Sequence, residues 1–220
     1  MVNRLNAKDA SSAMPFPTIS NPTTFRAGVE HICKAEPKLR QLVKKHGVFE
    51  FSCGGDPFET LVESIIAQQL NGSAAESIFK KLKSYFDGEV ITAQALSKLT
   101  RTEFRRAGVS PQKIRYLKDL SARVIRGDLR LSDLGQMPDD EVVRVLDEVK
   151  GIGPWTAHMF LLFTLGRPDV LPVDDLGIQD SIRKVYALRK RPSVERVRQI
   201  AKNWHPYCSI ASLYLWRLRD

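Results

Sequence analysis

The stretch LDEVKGIGPWTAHMFLL, Leu146 to Leu162, decides the reading of this chain. A helix with an apolar face, expected over Asp139 to Val149, runs into Lys150-Gly151-Ile152-Gly153-Pro154. An almost wholly apolar helix follows, from Trp155 to Leu165, and reads as a central core element. So short a link leaves room only for a tight turn, and the two helices form a helix-hairpin-helix. Glycine supplies positive φ and lets another backbone come close. The first amides of the second helix have no intrahelical partner and lie at the positive end of its dipole. A phosphate fits there without any side chain, and such a contact positions a duplex without reading its sequence. Ile152 is placed to plug the space between the helices. Gly-x-Gly alone is compatible with an ordinary helical turn; the longer run GIGPWTA after an apolar helix favours DNA.

Working outward, the rest of the chain also reads as helix. Period-3.6 apolar patterns recur and β-branched alternation is missing. Helices are expected over Phe25 to His46 with a break at Pro37, from Asp56-Pro57 to near Asn71-Gly72, and from Ser73 to Phe86. Others are expected at 92–99, 101–107, 111–126, from Asp174 or Asp175 to Tyr186, and at 194–203 and 207–218. Val170-Leu171-Pro172-Val173 is extended, because a residue before proline avoids the α region. The fold class is therefore all-α, read as two helical lobes with a central cleft. The expected division is a flexible leader at 1–23, a helical domain at 52–170 carrying the hairpin (about 140–165), and a second lobe built from 24–51 plus 171–220.

Length and composition bound the function. The 220 residues are enough for a sizeable core without disulfide staples. The longest nearly pure apolar run, Met159 to Leu165, is far too short to span a bilayer. Net charge is +9 and unevenly spread. Segment 101–130 has nine Lys/Arg against three acids, and 183–220 has ten against two, whereas 132–150 has six acids against two bases. Blocked positive charge suits a polyanion such as a nucleic-acid backbone. Cys33, Cys53 and Cys208 show no zinc or iron–sulfur spacing, and the four histidines share no metal or triad spacing. No cofactor and no metal site is expected from these patterns.

A second signal is Pro172-Val173-Asp174-Asp175-Leu176-Gly177, with two carboxylates at a helix start, 19 and 20 residues after Trp155. Asp is a good N-cap, and one of the pair can serve only that purpose. A carboxylate close to a bound nucleotide can stabilise a cation developing at a sugar carbon or help activate water.

GIGPWTA followed by PVDD resembles the helix-hairpin-helix (HhH-GPD) DNA glycosylase superfamily, and most closely its 3-methyladenine DNA glycosylase II branch. The likeness extends to LVESIIAQQLNGSAAESIFKKL (61–82) and WHPYCSIASLYLWRL (204–218), covering most of the chain from about residue 50. It implies a monofunctional glycosylase that hydrolyses the base–sugar bond of alkylated purines in double-stranded DNA. Processing a single lesion requires only a monomer, and no obligate protein partner is expected. Relatives that also cut the backbone carry a lysine where this chain has Trp155, so no Schiff base is expected. By position the family's aspartate falls on Asp174, with Asp175 as the fallback. Trp155, Met159 and Trp216 match the pocket, where an aromatic face would attract a cationic base. Gln68 and Leu70 match gap-filling residues, and Gly151, Ile152, Gly153 and Thr156 match the DNA-binding hairpin. Relatives hold a monovalent cation on hairpin carbonyls, and the backbone of 149–152 is the counterpart. Such an enzyme would work at the nucleoid of a bacterium or in a nucleus. The alternative is a noncatalytic hairpin module that binds DNA or senses damage, which would need neither PVDD nor an aromatic pocket.

Overall fold

Prolines at the first helical turn, each preceded by a capping side chain, set where several helices begin. Proline's missing N–H costs nothing there, and the cap supplies an acceptor for amides that lack one. The computed structural model describes residues 16–87 and 89–218. Asn21 caps α1 (Pro22–Ala35), Glu36 caps α2 (Pro37–His46) and Asp56 caps α3 (Pro57–Ala67). Asn71 caps α4 (Gly72–Lys83), which a 3₁₀ turn extends to Phe86. Thr92 caps α5 (Ala93–Lys98), a Thr100/Glu103 capping box opens α6 (Arg101–Arg106), and Ser110 caps α7 (Pro111–Arg126). A 3₁₀ segment, Leu131–Gln136, precedes α8 (Asp139–Asp147). Then come α9 (Pro154–Met159), α10 (Leu176–Val185, capped by Asp175), α11 (Val194–Ala201, capped by Ser193) and α12 (Cys208–Trp216). No strand occurs among the described residues.

The helices pack in two groups. α1, α2, α10 and α12 lie against one another, and α3 packs with α4 and α7, which also carries α5 and α6. α8 and α9 form the hairpin pair, and the segment after α9 lies on α3. One continuous apolar core, from Phe25 and Ile32 through Leu61 and Ile65 to Leu162 and Tyr214, joins the groups.

Three expectations change. The predicted regular helix from Trp155 to Leu165 is α9 continued by a π-helical turn, Phe160–Thr164. Its residues Phe160, Leu161 and Leu162 are buried, but Trp155 and Phe163 are 45% and 40% exposed. The helix buried all round is instead α12, in which every residue from Cys208 to Leu215 is buried. A helix apolar on all faces belongs in the middle of a core. The expected leader ends earlier than Thr23, because Ile19 is buried and its N–H donates to the Gly166 carbonyl at 2.7 Å. The remainder of that leader, 1–15, lies outside the described residues.

The hairpin is held from behind. Gly151 has φ +84°, and a Cβ there would meet the Tyr116 ring at 2.2 Å. Gly153 has no atom within 4 Å of where its Cβ would stand. Ile152 is buried, as the plug requires. Asp119 on α7 accepts from the Lys150 N–H at 3.0 Å and from Arg123 Nε at 3.2 Å. Burial alone would raise the Asp119 pKa, but the Lys150 N–H and the Arg123 guanidinium outweigh it and hold the carboxyl below its ordinary value. A depressed carboxyl contributes stability above the unfolded-chain pKa and loses it as pH falls through the folded-state value.

Three variants test these supports by thermal unfolding. Gly151→Ala should cost about 1–3 kcal/mol, from left-handed strain plus the ring clash, and lower Tm measurably. Gly153→Ala should leave the Tm of the free protein within error. Asp119→Asn should destabilise the chain by about 1 kcal/mol at pH 7, with the deficit shrinking below about pH 4. A deficit that grows on acidification would contradict this role for Asp119.

Candidate active site

The loop after the π-helical turn delivers two carboxylates to the start of α10, and the structure treats them differently. Asp174 is exposed, and its charge opposes the burial that lowers the His158 pKa. Asp175 is partly buried and collects three N–H donors. Its Oδ1 accepts from the Ile178 amide at 2.8 Å, as a helix cap does, and from Trp216 Nε1 at 3.0 Å. Its Oδ2 accepts from Trp155 Nε1 at 2.8 Å. Sequence position favours Asp174, whereas the fold surrounds its neighbour Asp175 with donors. Both occupy an N-terminal turn rich in polar groups, and no local pattern distinguishes them.

The loop owes its position to α12. Arg167, 2% exposed, donates to the Gly135 and Met137 carbonyls at 3.0 and 2.9 Å and pairs with Asp139 at 3.3 Å. Ser209 Oγ donates to the Arg167 carbonyl at 2.6 Å and accepts from Val170 N–H at 2.9 Å. The first turn of α12 is thus tied to the chain that leads into Asp174-Asp175, while Trp216 at its last turn reaches Asp175.

The three expected pocket residues do not share one cavity. Trp155 and Met159 line a space of ≈ 570 Å³ together with Gln68, Leu70, Gly151, Gly153 and Thr156. Trp216 lines a neighbouring depression of ≈ 380 Å³ with Phe51, Phe163 and Arg217. Phe163 stacks on Trp216 with ring centroids 5.7 Å apart, and Phe51 lies 5.9 Å from Phe163. Asp175 lines neither space but accepts from one indole of each. Phe51 and Phe163 were not singled out from sequence. The signal for Phe163 was its polar context: it is a large aromatic beside Thr164 in a helix otherwise read as core, and a π turn often marks a functional stretch. A larger cavity of ≈ 710 Å³, between α1 and residues 48–52, holds none of the carboxylate-site residues except Phe51.

The turn after α3 places Leu70 at 39% exposure, open to the larger of the two site cavities. Gln69 adopts a left-handed φ of 57°. Gln68 is not free to fill a gap in this state, because its Nε2 donates to the Gly151 carbonyl at 2.6 Å. That bond occupies one of the hairpin carbonyls within 149–152. Lys113 Nζ caps the end of α3 through the Ile66 and Gln68 carbonyls, both at 2.7 Å. Thr156 is buried at 4% exposure, so it contributes to the cavity wall more than to an outer surface. Lys150 Nζ lies 3.7 Å from Asp119, behind the hairpin. Trp204 is fully buried in the core.

Known proteins share the family and the fold of this chain. Residues 62–206 match the family described as HhH-GPD superfamily base excision DNA repair protein. The chain is 32% identical over 192 residues to DNA-3-methyladenine glycosylase 1 of Schizosaccharomyces pombe, covering 85% of this chain and 84% of that protein. The structure resembles S. pombe 3-methyladenine DNA glycosylase in complex with abasic DNA (TM-score 0.79, 30% identity, 87% of this chain and 95% of that one). It also resembles a DNA-3-methyladenine glycosidase from Bacillus halodurans (TM-score 0.78, 32% identity, 91% and 90% covered). With the hairpin, the donor-ringed aspartate and the flanking aromatic residues in one arrangement, the chain belongs to the HhH-GPD superfamily of base excision DNA repair proteins.

Proposed function

We propose that this chain is a monofunctional DNA glycosylase that releases alkylated purines, of the 3-methyladenine and 7-methylguanine type, from double-stranded DNA, with Asp175 as the carboxylate that stabilises the reacting sugar. The observation that carries the reading is the set of three N–H donors on Asp175, two of them indoles from the walls of adjoining aromatic spaces. A carboxylate so engaged has both oxygens already occupied by donors and is a well-fixed negative charge. That favours stabilising a developing oxocarbenium ion over deprotonating water. An alkylated purine already carries positive charge, so it leaves as a neutral base without a general acid. Water adds at the sugar carbon, and the proton it sheds goes to solvent.

The aromatic residues fit the same substrate. A cationic base on an indole or phenyl face gains roughly 0.5–2 kcal/mol, depending on desolvation. The target base must first leave the stack at a cost of a few kcal/mol. Leu70, exposed on a turn beside Trp155 and Met159, is suited to enter the gap as an apolar wedge. Position 155 offers no amine and Lys150 stands with Asp119, so backbone cleavage through a Schiff base has no candidate nucleophile here. The open space in front of Gly153 leaves the first amides of α9 accessible to a phosphate. A noncatalytic DNA-binding module would need the hairpin but not a carboxylate held by two indoles.

Single-turnover release of base from methylated DNA tests the assignment. A unit charge at about 4 Å in an effective dielectric of about 20 is worth roughly 4 kcal/mol, or about 10³ in rate. Asp175→Asn should lose about that factor, since its amide would also face the indole donors. Asp174→Asn should stay within a few-fold of the native rate. The reverse ranking would move the role to Asp174. Gly153→Leu should weaken binding to duplexes of every sequence alike; a loss confined to one sequence context would contradict phosphate positioning.

A further inference from the structure

Away from the carboxylate site, the fold gathers three ligand-type side chains that are distant in sequence. The donor atoms of Asp169, His205 and Cys208 all lie within 4.8 Å of one another. Asp169 sits in the loop after the π-helical turn, His205 in the link before α12, and Cys208 is the first residue of α12. His205 Nδ1 is 2.8 Å from Asp169 Oδ2, and Asp169 Oδ1 accepts from the Cys208 N–H at 3.1 Å. The thiol is buried at the base of the group, whereas the His205 and Asp169 side chains are 52% and 32% exposed.

We propose that Asp169, His205 and Cys208 form a binding site for one zinc-type divalent cation, with a fourth position open to solvent. The donor set is one sulfur, one imidazole nitrogen and one carboxylate oxygen. That mixture suits a borderline-soft cation, whereas magnesium and calcium take oxygen alone. The charges also match: a thiolate and a carboxylate supply two negative charges to a dication, beside a neutral imidazole. On binding, the Cys208 thiol gives its proton to solvent and a metal–sulfur bond forms, with no change of oxidation state. Ligand atoms around a tetrahedral zinc stand about 3.3–3.8 Å apart, given bonds of about 2.0–2.3 Å. The His205–Asp169 contact therefore opens by less than about 1 Å, and both side chains are exposed enough to do so.

One surrounding supports the site and one works against it. Asp169 also lines an open depression of ≈ 350 Å³ with Asp139, Asp140 and His158. Burial raises the Asp139 pKa, Arg167 opposes that, and the charges of Asp169 and Asp140 raise it further. In a chain of net charge +9, this is a local field that draws cations. At the base of the site, burial first, then the adjacent Asp169 charge and its hydrogen bond, push the Cys208 thiol well above its ordinary range. A dication binding here must displace the thiol proton against that shift, which lowers its affinity and makes binding favour higher pH. Such an ion would fasten the 167–170 loop to the first turn of α12, adding to the Ser209 hydrogen bonds.

The test uses the full chain, stripped of metal, titrated with Co²⁺ as a spectroscopic substitute and then with Zn²⁺ in competition. One equivalent should bind, with a thiolate-to-cobalt charge-transfer band, visible bands of a four-coordinate ion, and release of a proton per ion. Zn²⁺ should raise Tm and displace cobalt; Mg²⁺ should do neither. Cys208→Ser should remove the charge-transfer band, while the double variant Cys33→Ser/Cys53→Ser keeps it. His205→Ala, at a half-exposed position where folding is not at stake, should weaken binding at least tenfold and remove the Tm rise. Absence of the band in the native chain, its survival in Cys208→Ser, or unchanged affinity in His205→Ala would overturn the proposal.

Discussion

Three N–H groups meeting on the Asp175 carboxylate are the constraint on which the site depends. They come from the first turn of α10, from Trp155 just past the hairpin, and from Trp216 at the end of α12. Hydrogen bonds to a charged group are each worth about 1.5–3 kcal/mol, and here they join elements from both groups of helices. The carboxylate is therefore held in place before any substrate arrives. Preorganisation of this kind is what gives a fixed charge its value in a transition state, since no reorientation is needed when positive charge appears.

Much of the surrounding structure exists to keep those donors in place. The buried Arg167 fastens the loop that follows the π-helical turn to the carbonyls before α8. Ser209 fastens the same loop to α12, so the loop bearing Asp175 and the helix bearing Trp216 share an anchor. The hairpin has its own supports, the Asp119 carboxylate behind Lys150 and the Gln68 amide on the Gly151 carbonyl. The hairpin and the Asp175 carboxylate thus rest on separate networks, linked through Trp155 at the head of α9.

What was legible in the sequence is what depends on neighbours along the chain. The hairpin was readable because Gly151 needs a positive φ and Gly153 an open face, both local demands. The helix starts were readable from proline and its capping partner, as at Asp56-Pro57 and Ser110-Pro111. The split of Asp174 from Asp175 was not, because both sit in one N-terminal turn and only distant indoles tell them apart. The π turn at Phe160–Thr164 was hidden for a similar reason: an apolar run has no polar marker by which a change of pitch can be counted. Phe51 joins the aromatic wall from a segment more than 100 residues away in the chain from Phe163. The grouping of His205 and Cys208 with Asp169 likewise arises only when α12 docks on the 167–170 loop.

The most direct measurement of the central claim compares the affinity of the chain for two duplexes, one with a cationic pyrrolidine in place of the target sugar and one with a neutral tetrahydrofuran. If Asp175 is a fixed charge facing the reacting sugar, the native chain should prefer the cationic duplex strongly, and Asp175→Asn should bring the two affinities close to equal. A preference that survives in Asp175→Asn, or that vanishes in Asp174→Asn instead, would contradict the account.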